Sequence, residues 1–395
     1  MPTTPRFEAH TTRVALSAFF LSGLLMCLPG AILPAWGYHI RDEFLAVGTF
    51  FLATAAGLML SVAVAPTLRR YRQPSLVIAV GGGLGAAALI ALAFAGPPVS
   101  WQWRIAGFFL LGLGAGVLNS AAFQSMLAAY ERDPASTVNM AGILFGLGSL
   151  VTALFLSTTF YVYDVRSTLI LAALAPAFAA ALYHRHQVPA PPALPDRPLH
   201  QVWQDVRSPA AVLFSLLLFF QFGNEWTVAG WISIFLVRRT GISPEHSLFM
   251  LAAYWFALIV GRVAAQPLLR RMGHGRLLFW SAGAAVAACV LLMATNNAFG
   301  AWTGLLMLGA GFAPIYPLVV EWIGGRFPNY HPGVFNGLFS IAVACGLLSP
   351  FLVSLAANYW GIWIVMALPM FGTIIVFLLT LGLWLESRLH AVTRA

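Results

Sequence analysis

The sequence predicts an all-helical integral membrane protein of about a dozen spans arranged as two duplicated halves. Composition, the length of the apolar runs and an internal repeat predict it together. Of the 395 residues, 60% are hydrophobic and only 8% are charged, whereas a soluble chain carries about a quarter charged residues. A hydrocarbon core about 30 Å thick takes roughly 20 apolar residues per helix, and the chain divides into about a dozen such runs between short polar loops. Little is left over for a soluble domain. The runs lack the alternation of polar and apolar residues over about ten positions that an outer-membrane barrel needs.

In order, the predicted spans cover 13–37, 44–67, 75–96, 101–128, 136–160 and 166–184, then 209–237, 245–269, 276–295, 298–324, 331–357 and 361–386. The first run is long enough to span and has no small-residue cleavage signature, so it is expected to be a helix and not a leader. Cys27, Cys289 and Cys345 fall inside spans, where a thiol is a small apolar group, and they suggest neither a disulfide framework nor a metal site. All 21 cationic side chains are Arg. With both termini in the cytoplasm, about 15 lie in inner loops and tails and about five outside, with Arg262 left inside a span. The net charge of +9 is therefore topology, and it implies a bilayer as partner and no nucleic acid.

The segment "HRHQVPAPPALPDRPLHQVWQDVRS" is Pro-rich and polar, the composition of a connector. It divides an N-terminal bundle at 1–190 from a C-terminal bundle at 209–395, with a cytoplasmic linker at 185–208. The halves share spacing. "FFLSG" at 19–23 matches "FFQFG" at 219–223, followed by Gly30 and Ile32 against Gly230 and Ile232. "PTLRR" at 66–70 matches "PLLRR" at 267–271, and "GFFLLGLG" at 107–114 matches "GLLMLGAG" at 304–311. Ordered matches at a common offset of about 200 indicate duplication.

Two six-helix halves related in this way resemble the major facilitator superfamily. The loop "GRVAAQPLLRRMGHGR" at 261–276 is similar to the family's basic loop after the eighth helix; the first-half copy, "LSVAVAPTLRRYRQP", keeps the basic cluster and lacks the family's acidic residue. "AAYWFALIVGR" at 252–262, "GNEWTVAGW" at 223–231 and "YPLVVEWIGGRFP" at 316–328 resemble the fucose:proton symporter branch. The resemblance implies a small-molecule carrier, not an enzyme, with helices 1, 4, 7 and 10 lining a central cavity.

The stretch "FFQFGNEWTVAGWISIF" puts Gln221, Asn224 and Glu225 in an apolar span, where the first half has Leu21, Leu24 and Leu25. A carboxylate at mid-bilayer costs a few kcal/mol, so it is paired, protonated or facing water. Gln221 lies one turn before Glu225 on the same helix face, and Asn224 about 100° round. Low-dielectric surroundings favour the neutral form of an acid, which would let Glu225 load and release a proton. The plainer reading is a structural bond to a neighbouring helix or to an unseen Arg. Fucose permeases carry acids in helices 1 and 4, whereas here helix 1 has none and helix 4 offers only Asn119 and Gln124. A coupled proton would therefore move to Glu225.

Other cavity candidates are Trp36, Asn119 and Tyr316. Asn139 with Gly142, and Asn336 with Gly337, occupy equivalent places early in helices 5 and 11, where packing with some cavity exposure is expected, and Asn336 joins Gln221, Asn224 and Glu225 among the solute-binding candidates. The resemblance further implies a cytoplasmic gate in which Glu321 meets Arg262, Arg270, Arg271 or Arg326 when the carrier faces outward. Arg104 among tryptophans reads as an interfacial anchor, with an anionic solute as its other possible partner. "GGGLG" at 81–85 lies inside a span with no strand before it, so it reads as close helix packing and not a phosphate loop. Pro29, Pro34, Pro314 and Pro317 are expected to bend the cavity helices.

The function expected is import of a small polar solute, a sugar or related compound, by proton symport across a bacterial inner membrane, by a monomer without cofactor or metal. Na⁺ stays open as the coupling ion. A proton-coupled exporter of amphipathic compounds and a non-transporting sensor are the alternatives.

Overall fold

A computed structural model describes residues 5–71, 74–185, 209–327 and 338–393. The linker residues beyond 185, Asn336 and Gly337 lie outside the described residues. The described chain is helical throughout its regular structure. The first half holds α1 (Pro5–Ala31), α2 (Phe44–Tyr71), α3 (Pro74–Phe94), α4 (Gln102–Ser125), α5 (Leu127–Arg132), α6 (Pro134–Thr159) and α7 (Val165–Arg185). The second holds α8 (Pro209–Thr240), α9 (Pro244–Met272), α10 (His274–Ala294), α11 (Ala298–Phe312), α12 (Ile315–Arg326), α13 (Leu338–Gly346), α14 (Ser349–Trp360) and α15 (Ile364–Thr393). Among the described residues, 11 helical stretches are long and apolar enough to cross a membrane, and the apolar run Ala15–Ala31 adds a shorter one.

Prolines set several departures from the predicted spans. The first span ends early, at Ala31, and continues as turns through Pro34. The tenth is broken between α11 and α12 at Ala313–Pro314, and the eleventh between α13 and α14 just before Pro350. A proline lacks the amide that the ladder needs and crowds the preceding turn. The fourth span is interrupted at Met126, whose backbone leaves the helical region without a proline.

The two halves repeat each other's packing. α1 packs on α6, α2 on α4, α3 on α4 and α3 on α7; correspondingly α8 packs on α13, α9 on α11, α10 on α11 and α10 on α15. The repeat extends to single atoms at glycines. Gly107 sits against Leu92, and Gly304 against Leu292. Gly112 touches the Thr54 carbonyl, and Gly309 the Tyr254 carbonyl. Gly114 meets the backbone of Gly81 and Gly85, and Gly311 that of Ser281 and Ala285. Without a hydrophobic force between helices in lipid, such small-residue approaches supply the packing. They also explain "GGGLG": Gly81 and Gly85 receive α4, and Gly82 receives α7 at Pro176.

The halves meet along α6 with α9 and α2 with α14, and where α1 crosses α8. At that crossing the equivalent residues Gly30 and Gly230 touch: a Cβ on Gly30 would come within 2.4 Å of the Ala229 carbonyl and 2.8 Å of the Gly230 Cα. Ser233 Oγ donates to the Gly30 carbonyl at 3.0 Å beside them. The two halves thus approach to backbone distance at their shared axis, leaving no room for a side chain. Gly30→Leu should destabilise the folded protein by about 1–3 kcal/mol, the usual result of overpacking, whereas Gly83→Ala, which meets open space, should not. Thermal unfolding in detergent measures both; an unchanged melting point for Gly30→Leu would contradict the tight crossing.

Candidate functional site

Glu225 lies near the middle of α8, one turn below the Gly30–Gly230 crossing. Gln221 Nε2 donates to its Oε1 at 2.7 Å, as expected for residues one turn apart. Gln221 is fully buried, yet Glu225 is only partly so although it sits deep inside the protein. Its residual exposure leaves a small space beside the carboxylate inside the bundle, the chamber near the meeting of the two halves. The first-half equivalent, Leu25, is fully buried against Gly85.

Across the chamber stands Arg262 of α9. Its side chain is buried, with 7% exposure, and reaches the first half: a Cβ on Gly142 of α6 would coincide with its Nη1. Asn139 Nδ2, one turn earlier on α6, donates to the Arg262 carbonyl at 3.0 Å. Glu225, Tyr254 of α9 and Tyr316 of α12 are its electrostatic neighbours. No carboxylate lies within 4.0 Å of its nitrogens among the described residues. Arg262 and Glu225 thus sense each other without forming an ion pair. Several buried polar atoms have no hydrogen-bond partner here: Arg262 Nε, Tyr254 Oη, Gln221 Oε1 and Asn139 Oδ1. Aromatic rings pack against one another on the neighbouring turns of the same helices. Phe222 lies 5.8 Å from Tyr316 and 6.3 Å from Trp226, and Phe145 lies 6.2 Å from Trp226 and 6.1 Å from Trp255.

The other candidates lie elsewhere. Asn224 bonds Thr373 Oγ1 at 3.2 Å and packs on Gly372, so it joins α8 to α15 away from the chamber. Trp36 falls in the turns after α1, beneath the Arg104 guanidinium at 5.0 Å. Arg104 itself is buried and donates to the Ala95 and Val99 carbonyls and to Tyr38 Oη. It clamps the end of the first half and does not snorkel to an interface. Asn119 is partly exposed on α4. Glu321 pairs with His274 at 2.9 Å, a contact inside the second half, and is not brought to Arg262. Arg270, Arg271 and Arg326 are exposed at the ends of α9 and α12.

Sequence reading missed the contacts that close the end of the bundle away from the termini. Arg238, at the end of α8, pairs with Asp42 and donates to the His39 and Arg41 carbonyls in the loop after α1. Tyr161 Oη donates to Glu245 Oε2 at 2.7 Å, and Ser157 Oγ to the Glu245 carbonyl at 2.8 Å. Each joins one half to the other. The signal available was weak: polar residues at helix ends and in loops, 84 to 199 positions apart, with no helical spacing to connect them.

Residues 14–350 match the Major Facilitator Superfamily, and the chain belongs to that family of membrane transporters. Among relatives, the glucose/mannose transporter GlcP of Bacillus subtilis is 22% identical over 381 residues, covering 90% of this chain and 91% of its own. The fosmidomycin resistance protein of Escherichia coli is 24% identical over 404 residues, covering 94% of each. The crystal structure of the E. coli fucose:proton symporter FucP superposes with a TM-score of 0.63 at 15% identity, over 93% of this chain and 97% of that one. The fold and the transporter class expected from the sequence are both borne out.

Because the Arg262 guanidinium occupies the space of a Gly142 side chain, Gly142→Ala should displace it by an ångström or more. A misplacement of that size can cost about a hundredfold in a reaction that depends on orientation, and solute uptake should fall steeply. Gly324→Ala, which meets nothing within 4 Å, should leave uptake intact. Normal uptake in Gly142→Ala would show that the Arg262 position is not critical.

Proposed function

We propose that this protein imports a small polar solute of the sugar class in symport with protons, with Glu225 as the proton carrier. The observation that carries the reading is Glu225 itself: a mid-span carboxylate, bonded to Gln221, beside the chamber near the meeting of the two halves. A mid-membrane acid is expensive to keep, and groups of this kind mark ion and substrate pathways. In the low dielectric of the chamber its charge is felt strongly by Arg262, so gaining or losing a proton changes the energy of any arrangement that brings the halves together there. The sugar class rests on the GlcP relative, and the proton on the carboxylate.

The protein would sit in the bacterial inner membrane with both termini cytoplasmic, as the predominance of Arg in the loops on that side suggests. The Arg238, Tyr161 and Ser157 contacts would then close the outer side, and their breakage would open it. Alternating access follows if residues 1–190 rock against 209–395 about the chamber. No step in this cycle calls for a cofactor. Export of amphipathic compounds in exchange for protons is the second reading, favoured by the neighbouring aromatic rings and by the fosmidomycin resistance relative.

In proteoliposomes under an imposed proton gradient, Glu225→Gln should abolish gradient-driven accumulation while keeping exchange of solute down its own gradient. Accumulation at the unmodified rate would remove Glu225 from the proton path. Uptake from the outer face distinguishes import from export.

A further inference from the structure

We propose that Arg262 is the recognition point for a single carboxylate on the transported solute, so that the cargo is a hydroxylated monocarboxylate, of the kind represented by a sugar acid, and Glu225 releases Arg262 to it on taking up a proton. The inference rests on the proton-symport reading above and narrows its substrate from sugars in general to monoanions.

An arginine is almost never buried without an anion, because removing its charge from water is costly unless the charge is paired and hydrogen-bonded. Arg262 is buried with its Nε unbonded and no carboxylate within bridging distance among the described residues. Glu225 is within electrostatic reach but is held by Gln221 on its own helix. The planar guanidinium fork fits a carboxylate in a bidentate manner. Gln221 Oε1 and Asn139 Oδ1, both acceptors, and Tyr254 Oη, a donor, are also buried without partners, on α8, α6 and α9. A hydroxylated acid carries a carboxylate for the guanidinium and hydroxyls that can answer unpartnered acceptors and donors of these kinds.

Charge counting fixes the stoichiometry. The groups facing Glu225 are Gln221 on α8, Arg262 and Tyr254 on α9 and Tyr316 on α12. With Glu225 ionised, Arg262 and Glu225 sum to zero, and an added anion would leave a buried negative charge. With Glu225 protonated, a monoanion restores neutrality. A neutral sugar would leave Arg262 uncompensated in that state, and a dianion would overshoot. One proton therefore travels with one monoanion, and the loaded chamber moves no net charge. Proton binding at Glu225 and anion binding at Arg262 become mutually supportive, which is coupling in the thermodynamic sense.

The test uses the purified full-length protein in proteoliposomes, with radiolabelled gluconate, galactonate and lactate alongside glucose. A pH gradient and a potassium-valinomycin potential are imposed separately. At least one acid should accumulate under the pH gradient and be indifferent to the potential. Its binding, followed by quenching of Trp226 and Trp255 fluorescence, should weaken as pH rises and Glu225 loses its proton. Arg262→Gln should weaken binding by at least about tenfold, Arg262→Lys by less, and Glu225→Gln should bind with little dependence on pH. Gel filtration of Arg262→Lys separates loss of binding from loss of folding. Accumulation of glucose without any acid would overturn the anion inference and leave the sugar-symport reading intact. Accumulation of an acid that follows the potential, or that survives Arg262→Gln, would overturn it as well. Uptake of none of the four would overturn both readings.

Discussion

A buried arginine with no carboxylate in bridging distance among the described residues sets the terms for the centre of this protein. At about 4 Å and an effective dielectric of about 20, opposite unit charges attract by roughly 4 kcal/mol. Glu225 stands outside bridging distance of Arg262, so that attraction is present but incomplete. The deficit is of the same order as the few kcal/mol that separate two conformations of a carrier. Whatever completes the charge at Arg262, whether a proton leaving Glu225 or an anion arriving, therefore has enough energy to select between them. Gly142 makes this possible: only a residue without a side chain lets the guanidinium of one half rest on the backbone of the other.

The surrounding scaffold holds that geometry, and its packing differs within and between the halves. Within each half, glycines bring helices to backbone contact, and the same contacts recur at equivalent residues in both. Between the halves the contacts are fewer and of a different kind. They include a glycine crossing at the axis, the faces of α6 on α9 and α12 and of α2 on α14, aromatic pairs such as Phe145 with Trp226 and Trp255, and polar contacts involving Arg238 and Glu245 at the end away from the termini. Small sliding surfaces and exchangeable polar pairs suit rigid-body rocking better than a mixed apolar core would.

How much of this was legible depended on the range of the interaction. Span length, duplication and the one-turn spacing of Gln221 and Glu225 are local or periodic, and all were readable. The match of Gly30 with Gly230 was visible as a pattern, but nothing in it said that the two would touch. Arg262 stood out as a charge inside a span, and the resemblance assigned it to a gate with Glu321 in the outward-facing state; in the arrangement seen here Glu321 meets His274 and Arg262 faces Gly142. The position of Asn224 about 100° round from Glu225 was readable, but nothing in the residue order named Thr373 as the partner it would find there. Tyr254 carries no sequence signal, because a tyrosine in an aromatic-rich span is ordinary. Contacts between helices are fixed by rotation and tilt, and neither leaves a mark on the residue order.

The central claim is that Glu225 exchanges a proton inside the membrane. Infrared difference spectroscopy on the purified protein, between acidic and neutral solution, observes this directly through the C=O stretch of a protonated carboxylic acid. A buried-acid band should appear on acidification of the unmodified protein and be missing from Glu225→Gln. A band that persists in Glu225→Gln, or none at all in the unmodified protein, would contradict the account.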